Sequence, residues 1–489
     1  MKRLSPIMLA GTGSDVGKSL IATGLCRIFL QDGYNPAPFK AQNMALNSYA
    51  TPDGLEIGRA QAVQAEAAGI ACSTDMNPIL LKPSGEHTSQ VVINGKPYGN
   101  RDAYTYFRKD GKEELREIAH AAFDRLRSCY HPIVLEGAGS ITELNLRDGD
   151  IVNMSMARYA NATVILVADI DRGGVFASVY GSIMLQSPED RQRIKGVIIN
   201  KFRGDLRLFE SGRMLLEEIC GVPVLGVVPM APHIAIEEED SVALESKGKV
   251  TSAEKINVAV ILLPHISNFT DFNALERHQD INLFYATTSD EIDEADIIIL
   301  PGSKNTLADL QFLRKKGFSG KILEARAKGK TIVGICGGYQ MLGLTVTDPQ
   351  GVEGDIGILP GLGLLPVTTC LTAEKVTRQT QFHFLNSDEV CEGYEIHMGH
   401  TDSKAPLTVD TYGRQDGCFV DTHCFGTYIH GIFDNVTVVD FLLAPFKSDK
   451  RAVNCDYKAY KEAQYDALAD WLRRYVDIEK LYSIMQSYD

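Results

Sequence analysis

Two short segments in the second half of the chain contain residue types suited to nucleophilic catalysis. Residues 331–340 read Thr-Ile-Val-Gly-Ile-Cys-Gly-Gly-Tyr-Gln, a strand pattern that runs into a glycine-rich turn. The form Gly-x-Cys-x-Gly around Cys336 is typical of a nucleophile in a strained strand-to-helix turn, because small neighbours leave its side chain accessible. The backbone N–H of Gly337 would then point at a developing oxyanion, and the helix that follows would favour a thiolate. A cysteine nucleophile needs a base. Our candidate is His430, in the segment Gly426–Gly431 at a predicted strand end.

The N-terminal segment Met8–Ser19 has the composition of a phosphate-binding loop. It reads Met-Leu-Ala-Gly-Thr-Gly-Ser-Asp-Val-Gly-Lys-Ser and lies between a predicted strand and a predicted helix. Glycines let backbone N–H groups face an anion, and the helix N-terminus adds partial positive charge. Lys18 can reach the outer phosphates, and the Ser19 hydroxyl can bind Mg²⁺. The strict motif has glycine where this chain has Thr12. We predict an ATP site formed by Gly11, Thr12, Gly13, Asp15, Val16, Gly17, Lys18 and Ser19.

Composition narrows the classes of protein to consider. The chain has 489 residues, of which 44% are hydrophobic and 23% charged, which predicts at least two globular domains. A net charge of −14 disfavours nucleic-acid binding, which needs a basic face. No apolar run is long enough for a membrane span, and the start lacks a signal-peptide pattern. We therefore expect a cytoplasmic protein that binds neither nucleic acid nor membrane and needs no obligate protein partner. The ten cysteines include no Cys-x-x-Cys pair, so a disulfide framework is disfavoured.

Apolar runs that alternate with helical patterns predict the fold class. Short Val- and Ile-rich runs separated by helical stretches indicate buried strands of parallel α/β sheets. The predicted strands are Ile7–Ala10, Ile133–Leu135, Thr163–Ala168, Gly196–Ile199, Asn257–Leu263, Ile297–Leu300 and Thr331–Ile335. The acidic stretch Ile236–Lys255 marks a domain boundary, and apolar residues recur at helical spacing after Pro445. We predict two doubly wound parallel-sheet domains, residues 1–240 and 252–442, and a C-terminal helical tail, residues 446–489.

The first domain resembles the dethiobiotin synthetase group of P-loop proteins. The variant loop Gly-Thr-Gly-x-x-Val-Gly-Lys-Ser carries the resemblance, together with the segments Val134–Gly139 and Ile198–Asp205. Members of that group phosphorylate a carboxylate or carbamate, which a nitrogen nucleophile then attacks. The resemblance implies that Glu136 binds the metal with Ser19, and that Asn200 reads the adenine edge.

The second domain, over residues 256–440, resembles the class I glutamine amidotransferases. The order and spacing of Cys336 and His430 match, and Leu300–Thr306 resembles the second oxyanion loop, with Gly302 as the implied donor. The usual triad has an acidic residue two positions after the histidine, and this chain has Ile432 there. Either the pair works without a carboxylate or another group orients the histidine. The nearby candidates are Asp434 and Glu395.

The missing acid is itself a feature of amidotransferases from corrinoid biosynthesis. The combination of both domains, with the segments Phe39–Asn47, Glu56–Gln61 and Asn77–Pro83, resembles the cobyric acid synthase family over nearly the whole chain. The resemblance implies ATP and Mg²⁺, with glutamine and a corrinoid polycarboxylate as small-molecule substrates. It also implies amidation of the b, d, e and g carboxylates of adenosylcobyrinic a,c-diamide. The predicted substrate contacts are Lys40, Gln42, Asn43, Asn47, Lys82 and Asp150.

Two alternatives stay open at this stage. One is the sister family, cobyrinic acid a,c-diamide synthase, which performs the same chemistry on the a and c carboxylates; the Lys40–Asn47 segment disfavours it. The other is a P-loop ATPase that carries an inactive amidotransferase domain, which predicts no glutaminase activity.

Overall fold

The computed structural model describes residues 3–83, 88–102, 112–237, 251–446 and 456–486. The protein is built around two six-stranded sheets, one in each half of the chain, as the strand patterns predict. The segment 238–250, where most of the predicted domain boundary falls, lies outside the described residues, and so do residues 447–455 at the start of the predicted tail. The domain limits therefore stay predictions. No helix among the described residues is long and apolar enough to cross a membrane.

The first sheet is parallel throughout, with strand order β12-β11-β10-β1-β9-β2. The strands of this half are β1 (Ile7–Gly11), β2 (Ala37–Phe39), β3 (Gln42–Met44), β4 (Ser48–Ala50), β5 (Glu56–Gly58), β6 (Ile79–Pro83), β7 (Thr88–Ile93), β8 (Lys96–Asp102), β9 (Ile133–Glu136), β10 (Thr163–Asp169), β11 (Ile194–Phe202) and β12 (Val224–Pro229). All seven residues of β10 are buried, which explains why its sequence is a continuous apolar run. β3 begins a smaller sheet, ordered β3-β6-β7-β8, which the sequence did not predict.

Helices connect the strands of the first sheet and cover it. They are α1 (Lys18–Gln31), α2 (Arg59–Ala67), α3 (Lys112–Cys129), α4 (Met154–Tyr159), α5 (Val175–Met184), α6 (Pro188–Arg193) and α7 (Glu210–Cys220), with 3-10 turns at Thr74–Met76, Leu144–Gly149 and Leu206–Phe209. α1 starts directly after the glycine-rich loop that follows β1, so its N-terminus lies at the carboxyl edge of the sheet. Ligands of open α/β sheets bind at that edge.

The second sheet has the order β15-β13-β16-β18-β26-β25 and is parallel except for β25. The strands of this half are β13 (Ile256–Ile261), β14 (Ile266–Ser267), β15 (Ile281–Ala286), β16 (Ile297–Leu300), β17 (Gly302–Ser303), β18 (Thr331–Ile335), β19 (Thr345–Thr347), β20 (Ile358–Pro360), β21 (Thr368–Phe384), β22 (Val390–Asp402), β23 (Thr408–Asp410), β24 (Gln415–Asp416), β25 (Cys418–Asp421), β26 (Cys424–Thr427) and β27 (Ile429–His430). Its helices are α8 (Asn273–Arg277), α9 (Thr306–Lys315), α10 (Phe318–Ala327), α11 (Gly337–Leu342) and α12 (Val436–Leu443), with 3-10 turns at Phe269–Phe272, Ser289–Glu294, Ile432–Asp434 and Ala444–Phe446.

A long antiparallel ribbon of β21 and β22 was not predicted. It belongs to a seven-stranded sheet that also contains β27, the strand on which His430 lies. Polar and exposed positions are frequent along β21, so its sequence has no buried run to mark it. The ribbon places Tyr394 opposite His430 in the register of β22 and β27.

The C-terminal tail is helical, as predicted. It forms α13 (Tyr457–Tyr475) and α14 (Ile478–Gln486), and α13 packs against α1 of the first domain. Tyr465, Leu468 and Leu472 are each at most 2% exposed and join the core around β1. The tail therefore belongs structurally to the P-loop half of the molecule, although it follows the other half in sequence.

Candidate active site

Cys336 lies in a strained turn between β18 and α11. Its backbone has φ 50° and ψ −109°, a conformation that non-glycine residues rarely adopt and that is found at functional sites. The turn is tight because Gly338 packs on β16: a Cβ there would lie 1.9 Å from the Leu300 carbonyl oxygen. The Cys336 N–H donates to the Thr427 carbonyl at 2.8 Å, and its Sγ lies 3.6 Å from the Ile396 carbonyl oxygen. The local sequence thus imposes the geometry predicted for a nucleophile.

His430 is oriented by Asp271, a residue that sequence reasoning missed. The His430 Nδ1–H donates to Asp271 Oδ2 at 2.7 Å, and the Gly431 N–H donates to Asp271 Oδ1 at 2.9 Å. Both side chains of the pair are 1% exposed. One carboxylate therefore fixes the ring and the backbone of the same turn, which is how a triad acid holds a catalytic histidine.

The two acids considered from sequence have other surroundings. Glu395 accepts from Arg378 at 2.8 Å and contacts His397 at 3.2 Å. His430 Nδ1 donates to Asp271 and not to Asp434, and burial raises the pKa of Asp434 to about 7. The expectation that Glu395 or Asp434 orients the histidine is therefore wrong. The only signal for the correct acid was its position between two aromatic residues, Phe269 and Phe272, in a segment that suits a buried site.

The electrostatics of the pair favour a charged histidine. Burial by itself lowers the pKa of His430, but the charges of Asp271 and Cys336 and their hydrogen bonds outweigh it and raise the pKa to about 10. An imidazolium beside the cysteine can stabilise a thiolate and later give its proton to a leaving amine.

The two glycines predicted as oxyanion donors lie against the same pair. A Cβ on Gly302 would be 3.3 Å from His430 Cε1, and a Cβ on Gly337 would be 2.8 Å from the Ser303 nitrogen. β17, which contains Gly302, is held by antiparallel pairing with β14. The loop after β16 and the turn after β18 thus lie close together, and a side chain would be crowded at Gly302 and would clash with backbone at Gly337.

The P-loop holds Lys18 at the edge of the first sheet. The Lys18 ammonium donates to the carbonyls of Gly13 and Gly139, at 3.0 Å each. A Cβ on Gly11 would lie 2.8 Å from the backbone oxygens of Gly13 and Gly139, so glycine is required there. Burial is the main reason that the pKa of Lys18 is lowered to about 8. The Thr12 N–H donates to the Val167 carbonyl of β10 at 3.0 Å, so this residue ties the loop to the sheet.

Only some of the loop residues predicted to bind ATP line the large cavity next to the loop. Asp15, Gly17, Lys18 and Ser19 line the cavity described below, whereas Gly11, Thr12, Gly13 and Val16 are not among its lining residues. Asn200, predicted to read the adenine edge, lines the cavity too, and its Nδ2 donates to the Val16 carbonyl at 2.9 Å. A Cβ on Gly17 would meet that amide at 2.1 Å. Asn200 therefore stabilises the loop through this hydrogen bond and also lines the cavity.

Glu136 is a buried carboxylate at the end of β9 with three donors. Its Oε1 accepts from the Ser19 hydroxyl and the Lys40 ammonium at 2.8 Å each, and its Oε2 accepts from Gln64 at 2.7 Å. Burial alone would raise the pKa of Glu136, but Lys40 and the hydrogen bonds lower it below its usual value. The carboxylate is thus kept ionised beside a hydroxyl, a pair of oxygen donors that suits Mg²⁺ together with nucleotide phosphates.

A cavity of about 1410 Å³ extends from the P-loop. It is larger than the usual pocket for one small ligand, so it has room for a nucleotide and a bulky acceptor. Of the residues predicted to contact substrate, Lys40, Gln42, Asn43 and Asp150 line this cavity. Residues of the second half, among them Phe269 and Arg277, and residues of α13 complete its wall.

Two predicted substrate residues are placed elsewhere. Asn47 and Lys82 are not among the residues that line the cavity. Lys82 donates to Glu56 at 2.7 Å, and Glu56 also pairs with Lys375 of the second half. Asn47 Oδ1 accepts from the Phe269 N–H at 3.3 Å. Asn47 therefore contacts the second half directly, whereas Lys82 is linked to it only through the Glu56 carboxylate that it shares with Lys375. Polar residue type alone could not distinguish these roles from substrate binding.

Comparisons with known proteins give one family match in each half of the chain. Residues 7–242 match the family described as the CobQ/CobB/MinD/ParA nucleotide binding domain, and residues 257–438 match the CobB/CobQ-like glutamine amidotransferase domain. The chain is 63% identical to a cobyric acid synthase of Bacteroides fragilis, with all of both chains covered. It is 62% identical to one of Phocaeicola vulgatus, again over the full length of both. It is 49% identical to one of Citrobacter koseri, over 99% of this chain and 98% of the other.

Proposed function

The chain belongs to the cobyric acid synthase family, and on that premise we propose that it amidates the b, d, e and g carboxylates of adenosylcobyrinic a,c-diamide. It is an ATP-dependent ligase that takes nitrogen from glutamine and acts in cobalamin biosynthesis. The observation that carries the proposal is the presence, in one chain, of an oriented Cys–His–Asp constellation and a P-loop that opens into a large cavity.

In the glutaminase half, the Cys336 thiolate attacks the carboxamide carbon of glutamine. The oxyanion of the tetrahedral intermediate is stabilised by backbone N–H groups at Gly302 and Gly337. His430 gives its proton to the leaving nitrogen, ammonia departs, and a glutamyl thioester remains on the cysteine. His430 then takes a proton from water, which attacks the thioester and releases glutamate. Asp271 keeps the ring in place through both steps.

In the synthetase half, a carboxylate oxygen of the corrinoid attacks the γ-phosphorus of ATP, and ADP leaves. Ammonia then attacks the acyl phosphate, phosphate departs and an amide remains. Lys18 stabilises negative charge on the transferred phosphoryl group. Lys40, Gln42, Asn43 and Asp150 are the candidate contacts for the acceptor, since they line the cavity next to the P-loop.

The Ser19 hydroxyl and the Glu136 carboxylate would hold Mg²⁺. Their oxygens are 2.8 Å apart, and the rest of the coordination would come from water and nucleotide phosphates, as is usual for this ion. The described residues contain no cluster of three or more His, Cys, Asp or Glu side chains that could hold a metal ion. When bound, Mg²⁺ would neutralise charge on the phosphates.

The alternatives receive less support. The three relatives named above match over 98–100% of their own length and are cobyric acid synthases, which disfavours the sister family that amidates the a and c carboxylates. A P-loop ATPase with an inactive amidotransferase domain has no need for a buried carboxylate on the histidine, yet Asp271 is there at 2.7 Å.

The experiment that tests the proposal is a direct conversion. Purified protein is incubated with glutamine, ATP–Mg²⁺ and adenosylcobyrinic a,c-diamide, and the amides added are counted by mass spectrometry. We expect stepwise formation of the product amidated at b, d, e and g. A parallel incubation with the corrinoid that still lacks the a and c amides gives the other answer: amidation confined to a and c would contradict the assignment.

A further inference from the structure

The C-terminal tail supplies most of the aromatic surface of the cavity next to the P-loop. The tail lies outside both family matches, which cover residues 7–242 and 257–438. Four aromatic side chains among the described residues line the cavity, and three of them are on α13. They are Phe269, Tyr457, Tyr460 and Trp471. Neither domain match therefore accounts for this part of the cavity wall.

Trp471 is held at the carboxyl edge of the first sheet. Its indole N–H donates to the carbonyl of Pro229, the last residue of β12, at 3.2 Å. The rings of His233 and Tyr475 lie 5.0 and 4.7 Å from the indole in edge arrangements, which fix its orientation. The side chain is only partly buried and is one of the cavity-lining residues. Because its N–H already has an acceptor, Trp471 offers the cavity an apolar aromatic surface.

The same edge of the sheet carries Asn200, the residue predicted from the sequence to read the adenine edge. Asn200 lies on β11, which pairs with β12 in a register that places Phe202 opposite Pro229. Neighbouring strands are about 4.8 Å apart, so Asn200 lies close to the strand end that binds the Trp471 indole. On its other side, the Asn200 amide donates to the Val16 carbonyl of the P-loop. Asn200 is therefore placed between the phosphate-binding loop and the anchor of Trp471.

An apolar part of the cavity, here named the tail lobe, is formed where α13 packs on α1 and β12. The two helices approach closely, because a Cβ on Gly24 of α1 would lie 2.3 Å from Leu472 Cδ1. Five cavity-lining residues from α1, β12, the segment after β12 and α13 belong to one hydrophobic cluster and define the lobe. They are Leu20, Val228, Ile234, Leu468 and Trp471. Apolar walls with a few polar groups at the edge suit a flat heterocyclic base.

We propose that the tail lobe binds the adenine of ATP, with Trp471 against the face of the base, Asn200 at its edge and the phosphates on the P-loop. The C-terminal tail is then a part of the nucleotide site, which gives a reason for its return to the P-loop half of the molecule. The inference needs only that the chain uses ATP, as its family does, and not which carboxylates it amidates. The competing occupant is the adenosyl group of the corrinoid, which offers the same base.

The first arm of the test uses the intrinsic fluorescence of the wild type, because Trp471 is the only tryptophan of the chain. The protein is titrated with ADP–Mg²⁺ and, separately, with inorganic tripolyphosphate, which has phosphates but no base. We expect ADP to change the emission in a saturable way, and tripolyphosphate to compete with ADP without changing the emission by itself. Calorimetry shows when the site is saturated. Emission that stays unchanged at saturating ADP would contradict the inference.

The second arm compares variants in amidation supported by ammonium, which bypasses the glutaminase site. Trp471→Ala should raise the half-saturating ATP concentration about tenfold or more, because the stacking surface for the base is lost. The inhibition constant of tripolyphosphate should stay unchanged, and this split separates a contact with the base from structural support of the P-loop. Trp471→Phe should fall between Trp471→Ala and the wild type. Tyr412→Ala, which removes an aromatic side chain that is 85% exposed, is the matched control and should behave as the wild type.

Three results of the second arm would overturn the inference. One is an unchanged half-saturating ATP concentration in Trp471→Ala. Another is equal weakening of ATP and tripolyphosphate, which would make Trp471 a structural support of the loop. The third is a rise in the half-saturating corrinoid concentration alone, which would assign the tail lobe to the adenosyl group of the corrinoid. The proposed function fails separately, when the wild type forms no amides on the corrinoid; the ADP titration still tests the tail lobe in that case.

Discussion

The glutaminase site and the synthetase site lie at the ends of similar parallel sheets, but they differ in enclosure. Cys336, His430 and Asp271 are 6%, 1% and 2% exposed, so the first site is nearly closed and its groups hold one another. The second site is a cavity of about 1410 Å³ whose wall comes from both domains and from the tail. A small amide needs a rigid set of groups, whereas a large polycarboxylate that must be presented in several poses needs space.

The two sites also differ in how the pKa of their main cationic group is set. In the glutaminase site, the protein's own carboxylate raises the pKa of His430 to about 10, so the charged state is prepared in advance. In the synthetase site, burial lowers the pKa of Lys18 to about 8, and its ammonium donates to the carbonyls of Gly13 and Gly139. Phosphates would raise that pKa, because an opposite charge nearby favours the charged form. The first site is therefore complete in itself, and the second is completed by its ligands.

The largest expected effect is the loss of glutamine-supported amidation when the nucleophile of the glutaminase site is removed. Cys336→Ala should lower glutamine-supported amidation on the order of 10⁶-fold, as removal of a nucleophile does elsewhere. Amidation supported by ammonium salts should continue at close to the wild-type rate, since the synthetase site is intact. Product formation from each source is measured by mass. Cys370→Ala, a half-buried thiol on β21, is the control and should leave both rates unchanged.

A smaller effect should follow from removal of the orienting carboxylate. Asp271→Asn should lower the glutaminase rate by roughly 10²- to 10⁴-fold, because proton transfer by His430 becomes inefficient. The pKa of His430, followed by NMR, should fall, since burial lowers it once the aspartate charge is gone. An unchanged rate together with an unchanged pKa would mean that the Cys–His pair works without a carboxylate.

A substitution in the synthetase site should lower the amidation rate equally with glutamine and with ammonium. Lys18→Met should reduce amidation by about 10²- to 10³-fold with glutamine and with ammonium, because a group that stabilises transition-state charge is lost. The two rates are compared in parallel assays. A loss with glutamine alone would show that Lys18 does not serve the step that the two routes share.

The smallest comparison concerns stability rather than chemistry. Leu472 of α13 is 1% exposed and packs on α1 at Gly24, so Leu472→Ala should lower the free energy of unfolding by about 2–5 kcal/mol. Leu208→Ala, at a side chain that is 83% exposed, should change it by less than about 0.5 kcal/mol. Chemical denaturation of the two variants measures the difference, and similar values would mean that the tail is not part of the core of the P-loop half.

The sequence predicted the strands and turns that neighbouring residues specify. It did not predict the contacts between residues that are distant in sequence. β10 was predicted as Thr163–Ala168 and extends one residue further, because a continuous buried run identifies a central strand directly. The turns at Gly17 and Cys336 are likewise specified by adjacent small residues. Asp271 lies 159 positions before His430, and no periodicity links the two. Asn47 and Lys82 have the polar character of substrate contacts, but only the packed domains show that Asn47 contacts Phe269 and that Lys82 pairs with Glu56. Neither residue lines the cavity.

The central claim is that the Cys336 site supplies nitrogen to the P-loop site, and isotope labelling tests it most directly. The wild type and Cys336→Ala are incubated with the corrinoid, ATP–Mg²⁺, glutamine labelled with ¹⁵N in its amide, and unlabelled ammonium. We predict that the amides formed by the wild type contain ¹⁵N and that those formed by Cys336→Ala contain only unlabelled nitrogen. Equal labelling of the two products, or wild-type amides without ¹⁵N, would contradict the account.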